Sequence, residues 1–276
     1  LYQNPFANIQ PPEILACIMD WLYPLSGFAV GVIVGLTGVG GGSLMTPLLV
    51  LLFNVHPATA VGTDLLYAAV TKAGGTVVHG RKGHVQWRIT GMLALGSIPA
   101  AAVTIWVISH MEHRSPETTH LISMGLGVAL LLTATAIIFG RRIREYAAHH
   151  DESPWRAAHL GKITVFVGAV LGVLVSISSV GAGALGVAAL FFLYPKLSPV
   201  RIVGSDVAHA VPLTLVAGMG HWWLGSVDWA LLGSLLIGSL PGIWIGSHLS
   251  AKVPERILRN MLATMLVLIG GKLLAS

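Results

Sequence analysis

Val61-Gly-Thr-Asp-Leu-Leu-Tyr-Ala-Ala-Val-Thr-Lys72 is an apolar stretch carrying one acid and one lysine, and its head returns in the second half of the chain as Val203-Gly-Ser-Asp206. In the same register His79 matches His221, Gly83 matches Gly225, Trp87 matches Trp229, and Gly96-Ser-Ile-Pro99 matches Gly238-Ser-Leu-Pro241. Further upstream, after a one-residue slip, Thr37-Gly-Val-Gly-Gly-Gly-Ser43 lies over Ser178-Ser-Val-Gly-Ala-Gly-Ala184. Small residues pair by chance in membrane helices, but a constant offset through Asp, His, Trp and Pro does not. The chain therefore reads as one unit used twice, the sequence sign of a transporter architecture.

Composition places that unit in a bilayer. Apolar residues make up 54% of the chain and charged residues only 10%, against roughly a quarter charged in soluble domains. Mean hydropathy is +0.79. Several apolar runs reach the length of about 18 residues or more that a helix needs to cross the hydrocarbon core. Lys and Arg fall in short loops between those runs rather than along one face, a pattern of membrane topology and not of nucleic-acid binding. The single cysteine, Cys17, excludes an internal disulfide framework and argues against a thiol relay or a multi-cysteine metal site. No cofactor is expected. Leu1–Glu13 lacks the basic start and apolar centre of a signal peptide and reads as part of an N-terminal extension.

The expected class is an all-α polytopic membrane protein of two inverted-topology repeats. Each repeat holds a glycine-broken re-entrant or discontinuous helix pair plus three transmembrane helices. The expected divisions are an extension over 1–20, a first repeat over 21–140, a basic cytoplasmic linker over 141–161 and a second repeat over 162–276. In the first repeat the spans lie near Leu22–Leu36, Ser43–Phe53, Ala58–Val78, Trp87–Ser109 and Thr119–Gly140. In the second they lie near Ile163–Ser178, Gly183–Tyr194, Pro199–Leu224, Val227–Leu249 and Glu255–Leu274. The second member of each set is too short to cross alone and follows a glycine-rich break.

Orientation follows from where the short loops carry Lys and Arg. Arg81, Lys82 and Arg88 put one loop inside, as do Arg141, Arg142 and Arg144 in the linker, Lys196 with Arg201, and Lys252 with Arg256 and Arg259. The stretch before Trp21 and the loop at Asp228 carry no Lys or Arg, and the loop around Glu112 has a single Arg. These face outside. The chain threads through those assignments only if each interrupted pair enters and leaves on the same side, which inverts the second unit relative to the first.

On Gly35-Leu-Thr-Gly-Val-Gly-Gly-Gly42 with Pro47, Ala60-Val-Gly-Thr-Asp64, Arg81 with Gly83, and their second copies, the chain resembles the TauE/SafE family of sulfite and organosulfonate exporters. The resemblance runs over nearly the whole length. It implies a bacterial inner-membrane, multi-pass carrier of sulfite, of sulfonates such as sulfoacetate, or of a related small oxyanion.

The breaks suggest where such an anion binds. A helix that begins inside the membrane points unpaired N–H groups and the positive end of its dipole at the break. Candidate substrate-binding residues are Thr37, Gly40, Gly41, Gly42 and Ser43 at the first break, with Thr46-Pro47 read as an N-cap followed by proline. Ser178, Ser179, Gly181 and Gly183 are their counterparts at the second. Close helix packing by small residues is the competing reading.

Four ionisable residues fall within apolar spans, where each costs about 2.5 kcal/mol or more unless paired or wet. Lys72 is a candidate positive charge for the anion, or a side chain snorkelling to the inner face. Asp64 and Asp206 are candidate coupling residues, or structural caps. His209 shares a helix face with Asp206 and offers a titratable group, or merely packs. Pro212 frees the Ala208 carbonyl beside them and completes the coupling and gating set. His79 and His221 are assigned to ordinary interfacial positions. No nucleophile with a base and no HExxH pair points to an enzyme. An anion channel or uniporter remains open, as does a cation or metal carrier built on Asp64, Asp206 and His209, a choice that Lys72 opposes.

Overall fold

The computed structural model describes residues 13–37, 42–111, 116–149, 154–249 and 255–275, and the described residues form helices joined by short turns. In chain order the helices are α1 (Glu13–Thr37), α2 (Gly42–Leu51), α3 (Pro57–Arg81), α4 (Trp87–Ser109), α5 (Pro116–His149), α6 (Pro154–Ser178), α7 (Ala184–Leu193), α8 (Pro199–Trp223), α9 (Trp229–Leu249) and α10 (Glu255–Ala275). The expected helical membrane class is borne out. Among the described residues five segments are long and apolar enough to cross a bilayer: 87–109, 119–140, 159–178, 199–223 and 229–246.

Helix ends differ from expectation in ways that the local chemistry explains. Glu13 to Asp20, expected in the extension, already belongs to α1, and the basic stretch at 141–161 is helical up to His149 and again from Pro154. Arg, Glu and Ala prolong a helix as well as apolar residues do; the end of an apolar run is therefore not the end of a helix. Pro47 lies inside α2 rather than at its first position, and Thr46 is not an N-cap. His56 caps α3, accepting from the Ala58 N–H at 3.3 Å with Pro57 next to it. Ser198 takes the same place before Pro199 in α8. Asp64 and Asp206 stand about two turns further on, so neither is a cap.

Each major helix packs against a partner from the other half: α1 on α9, α6 on α4, α3 on α8, and α5 on α10. Gly27 and Gly31 of α1 meet the main chain of Leu235 and Ser239, while Gly168 and Gly172 of α6 meet the main chain of Leu93 and Ser97. A Cβ has no room at any of the four. Backbones approach this closely only where side chains are absent, and in a bilayer van der Waals contact of this kind replaces the hydrophobic drive. Gly62, near the head of α3, lies against His221 in the last turn of α8 and Ser226 just beyond it, while Gly204, near the head of α8, lies against His79 in the last turn of α3 and His84 just beyond it. The two central helices are thus antiparallel.

α3 is too polar to count among the long apolar spans, yet Ala58 to Ala69 is almost wholly buried and Lys72 is buried too. Other helices surround it, and lipid does not set its composition. The outward faces of α4, α8 and α9 carry Trp87, Trp106, Trp222, Trp223, Trp229 and Trp244, all exposed.

Candidate functional site

The second break is fully described. α6 ends at Ser178, and Ser179, Gly181 and Gly183 take φ of 57°, 113° and 148° before α7 begins. Left-handed backbone of this kind is glycine's province, and Ser179 accepts it as one of two described non-glycine residues that do. Ser178 is used locally: its hydroxyl donates to Leu174 O at 2.6 Å and accepts from Val180 N at 3.1 Å. Gly186 N bonds Gly181 O at 3.2 Å and Val187 N bonds Gly183 O at 2.8 Å. A regular helical bond from Gly186 would go to Ala182 instead. The Ala182 carbonyl is thereby left for another donor, and Lys72 Nζ supplies it.

That contact draws the centre together. Lys72, 6% exposed, reaches from α3 into the break of the other half, so it does not snorkel. Asp206 and Asp64 lie within electrostatic reach of this ammonium, which forms no ion pair with either. Thr46 of α2 donates to Asp64 Oδ2, and Ser179 sits beside the same carboxylate, though its hydroxyl makes no hydrogen bond of normal geometry. Asp206 rests on the first turn of α7, where its carboxylate fills the space that a Gly186 Cβ would need. Asp64 Oδ1 and both oxygens of Asp206 have no hydrogen-bond partner. The two acids, the lysine and the second break form one buried cluster.

Asp206 and His209 make no hydrogen bond to each other. His209 Nε2 instead meets Ser97 Oγ of α4 at 2.8 Å, and its Nδ1 has no partner. The counterparts of these two residues in the other half are Tyr67 and Ser239. They also face each other, but the Tyr67 hydroxyl makes no hydrogen bond. Pro212 lies within a continuous α8. Of the first break, Gly40 and Gly41 lie outside the described residues, as do the side chains of Thr37 and Ser43; Gly42 opens α2.

His221 is buried rather than interfacial, and its Nε2 meets the Ser176 carbonyl at 2.9 Å. The rings of His79 and His84 lie tilted at 56° to each other, with centroids 5.7 Å apart. Among the described residues no group of three or more His, Cys, Asp or Glu side chains is placed to hold a metal ion. Sequence reasoning did not place Ser97, Tyr67, Ser239 or Gly186 in the site, and it gave Thr46 a cap's role instead of a bond to Asp64. The signal for Ser97 and Ser239 was present, because the repeated Gly-Ser-x-Pro segment shares its register with Tyr67 and His209.

The family model described as sulfite exporter TauE/SafE matches residues 23–273. The chain belongs to the TauE/SafE family. Relatives within reach of this TauE/SafE chain are described as probable membrane transporter proteins. YjnA of Bacillus subtilis is 37% identical over 91% of this chain and 98% of its own length. YdhB of the same organism is 28% identical over 84% and 91%, and MJ0441 of Methanocaldococcus jannaschii is 23% identical over 88% and 91%. No solved structure matches. The TauE/SafE chain is accordingly a multi-pass membrane transporter, and a small molecule is what it moves.

Proposed function

We propose that this transporter exports a small oxyanion, such as sulfite or a sulfonate like sulfoacetate, across a bacterial inner membrane by proton-linked alternating access. The observation that carries the reading is the reach of Lys72 from one half to the carbonyl of Ala182 in the other. It ties a break, two carboxylates and a positive charge into one buried cluster between the halves. Inverted repeats generate two opposite-facing states around one midplane site. Support for inversion comes from the antiparallel α3 and α8 and from the reciprocal glycine contacts of α1 on α9 and α6 on α4.

In this reading the anion lies at the breaks, Thr37 and Gly40 to Ser43 on one side and Ser178, Ser179, Gly181 and Gly183 on the other. Backbone N–H groups and hydroxyls bind it without holding it too tightly to leave. Lys72 offsets one carboxylate. With both acids ionised the cluster remains one positive charge short of neutral, so a proton on Asp206 lets an anion enter at no net cost in buried charge. His209, one turn along α8, takes that proton on as access alternates, and Pro212 serves the gate.

Purified protein in proteoliposomes tests the reading with a panel of oxyanions and cations, with and without a pH gradient. A gradient is expected to drive sulfite or sulfonate accumulation by the native chain. Asp206→Asn or His209→Ala is expected to keep binding and lose the gradient response. Flux that follows only substrate gradient and voltage would make the protein a uniporter. The two carboxylates favour a cation carrier as the second reading, which wins if only cations move.

A further inference from the structure

The loops that follow α3 and α8, residues 82–86 and 224–228, are copies of each other. Gly83 and Gly225 take φ of 67° and 71°, and the turns close as His84 N donates to His79 O and Ser226 N to His221 O, both at 2.9 Å. Each loop then lies on the head of the other central helix. The His84 carbonyl occupies the space that a Cβ of Gly204 would need, as the Ser226 carbonyl does at Gly62. Two residues on, a loop N–H donates to a buried hydroxyl: Gln86 N to Ser205 Oγ at 2.8 Å, and Asp228 N to Thr63 Oγ1 at 3.1 Å. Ser205 and Thr63 directly precede Asp206 and Asp64, so each loop is fastened beside one of the central acids. Both acids are at most 1% exposed. Access to them requires one end of the α3 and α8 pair to let go of its loop. The two ends are not equal. Beside the loop that carries Arg81 and Lys82, Thr90 Oγ1 adds a bond to Ser205 O at 3.2 Å, whereas its counterpart at the other end, Leu232, has no hydroxyl to give.

We infer that 82–86 and 224–228 are the inner and outer gates of this transporter, latched to Ser205 and Thr63, and that Thr90 makes the inner latch the firmer of the two. Opening inwards breaks the bonds of Gln86 and Thr90 to Ser205. Opening outwards breaks only that of Asp228 to Thr63. In an exporter the firmer gate is the one through which substrate enters, and it limits back-flow into the cytoplasm. The inference rests on the alternating-access reading. Its test needs neither substrate nor a pH gradient, so a wrong oxyanion or a missing proton link leaves it standing.

The experiment places a reporter at the centre of the full-length chain, Ser179→Cys in a Cys17→Ser background, since Ser179 is 2% exposed and lies beside Asp64. A membrane-impermeant methanethiosulfonate labels it from one face in right-side-out vesicles and from the other in inverted vesicles. Thr90→Val, which keeps the shape and removes the hydroxyl, is expected to raise the labelling rate from the cytoplasmic face about threefold, the factor carried by one average hydrogen bond in a membrane. Ser205→Ala should do so by at least as much. Thr63→Val is expected to raise the rate about threefold from the outer face only. Bonds that merely hold the fold together would speed labelling from both faces alike. That outcome overturns the inference, as does no change from either face. Should Thr63→Val fail to insert, Thr63→Ser must label like the reporter chain and Thr63→Ala faster from outside; equal rates for these two also overturn it.

Discussion

Gly186→Ala isolates the contact that seats Asp206. The added methyl group meets Asp206 Oδ1 on the first turn of α7, and the carboxylate is held in place by no hydrogen bond that would have to break. Overpacking of this kind costs about 1–3 kcal/mol. Alanine in place of a helical glycine returns about 1 kcal/mol. The net loss is about 0–2 kcal/mol, and transport should fall sharply because Asp206 is pushed off its position. In an Asp206→Ala background the clash disappears, and Gly186→Ala should instead stabilise by up to about 1 kcal/mol. The coupling between the two sites is then about 1–3 kcal/mol, well above the few tenths expected of independent sites. A thermal-unfolding double-mutant cycle, read by the 8 tryptophans, measures it as several degrees. Gly233→Ala is the control, since a Cβ there meets nothing within 4 Å. It should leave transport intact and stability unchanged or improved. If Gly186→Ala has the same effect with and without Asp206, the placement of Asp206 against α7 is wrong.

Ser97→Ala removes the bond to His209 Nε2 and should cost about 0.6 kcal/mol, the average for such bonds in membranes. Ser239→Ala at the equivalent position should cost less, and equal unfolding shifts for the two would contradict the asymmetry. Lys72→Ala should bind oxyanions at least tenfold more weakly in equilibrium dialysis, since two carboxylates then face the anion unopposed. Lys72→Arg should keep the charge and lose activity, because a planar fork does not fit a site made for a compact ammonium. In a Cys17→Ser background, cysteines at Arg81 and Arg144 should label only from the cytoplasmic side, and one at Asp228 only from outside. Labelling of Arg81 and Asp228 from one face would sink the inverted arrangement.

Composition and pattern alone determined that this is a helical membrane protein, that it contains a duplicated unit, and that Asp64, Lys72, Asp206 and His209 are its unusual residues. Those conclusions are legible because hydropathy, repeats and intramembrane charge are properties of the chain read in order. The helix over Ala58–Val78 was expected as a span, although the composition of α3 falls short of a lipid-facing one. Partnership was not legible. Asp206 and His209 are neighbours along a helix face, yet His209 bonds Ser97 on another helix and Asp206 lies against Gly186 on a third. Lys72 meets Ala182, a residue 110 positions away. Such contacts depend on how α3 and α8 cross and on a single irregular hydrogen bond at Gly186. A side chain's sequence neighbours set its direction, but only the packing of the two halves decides what it meets there.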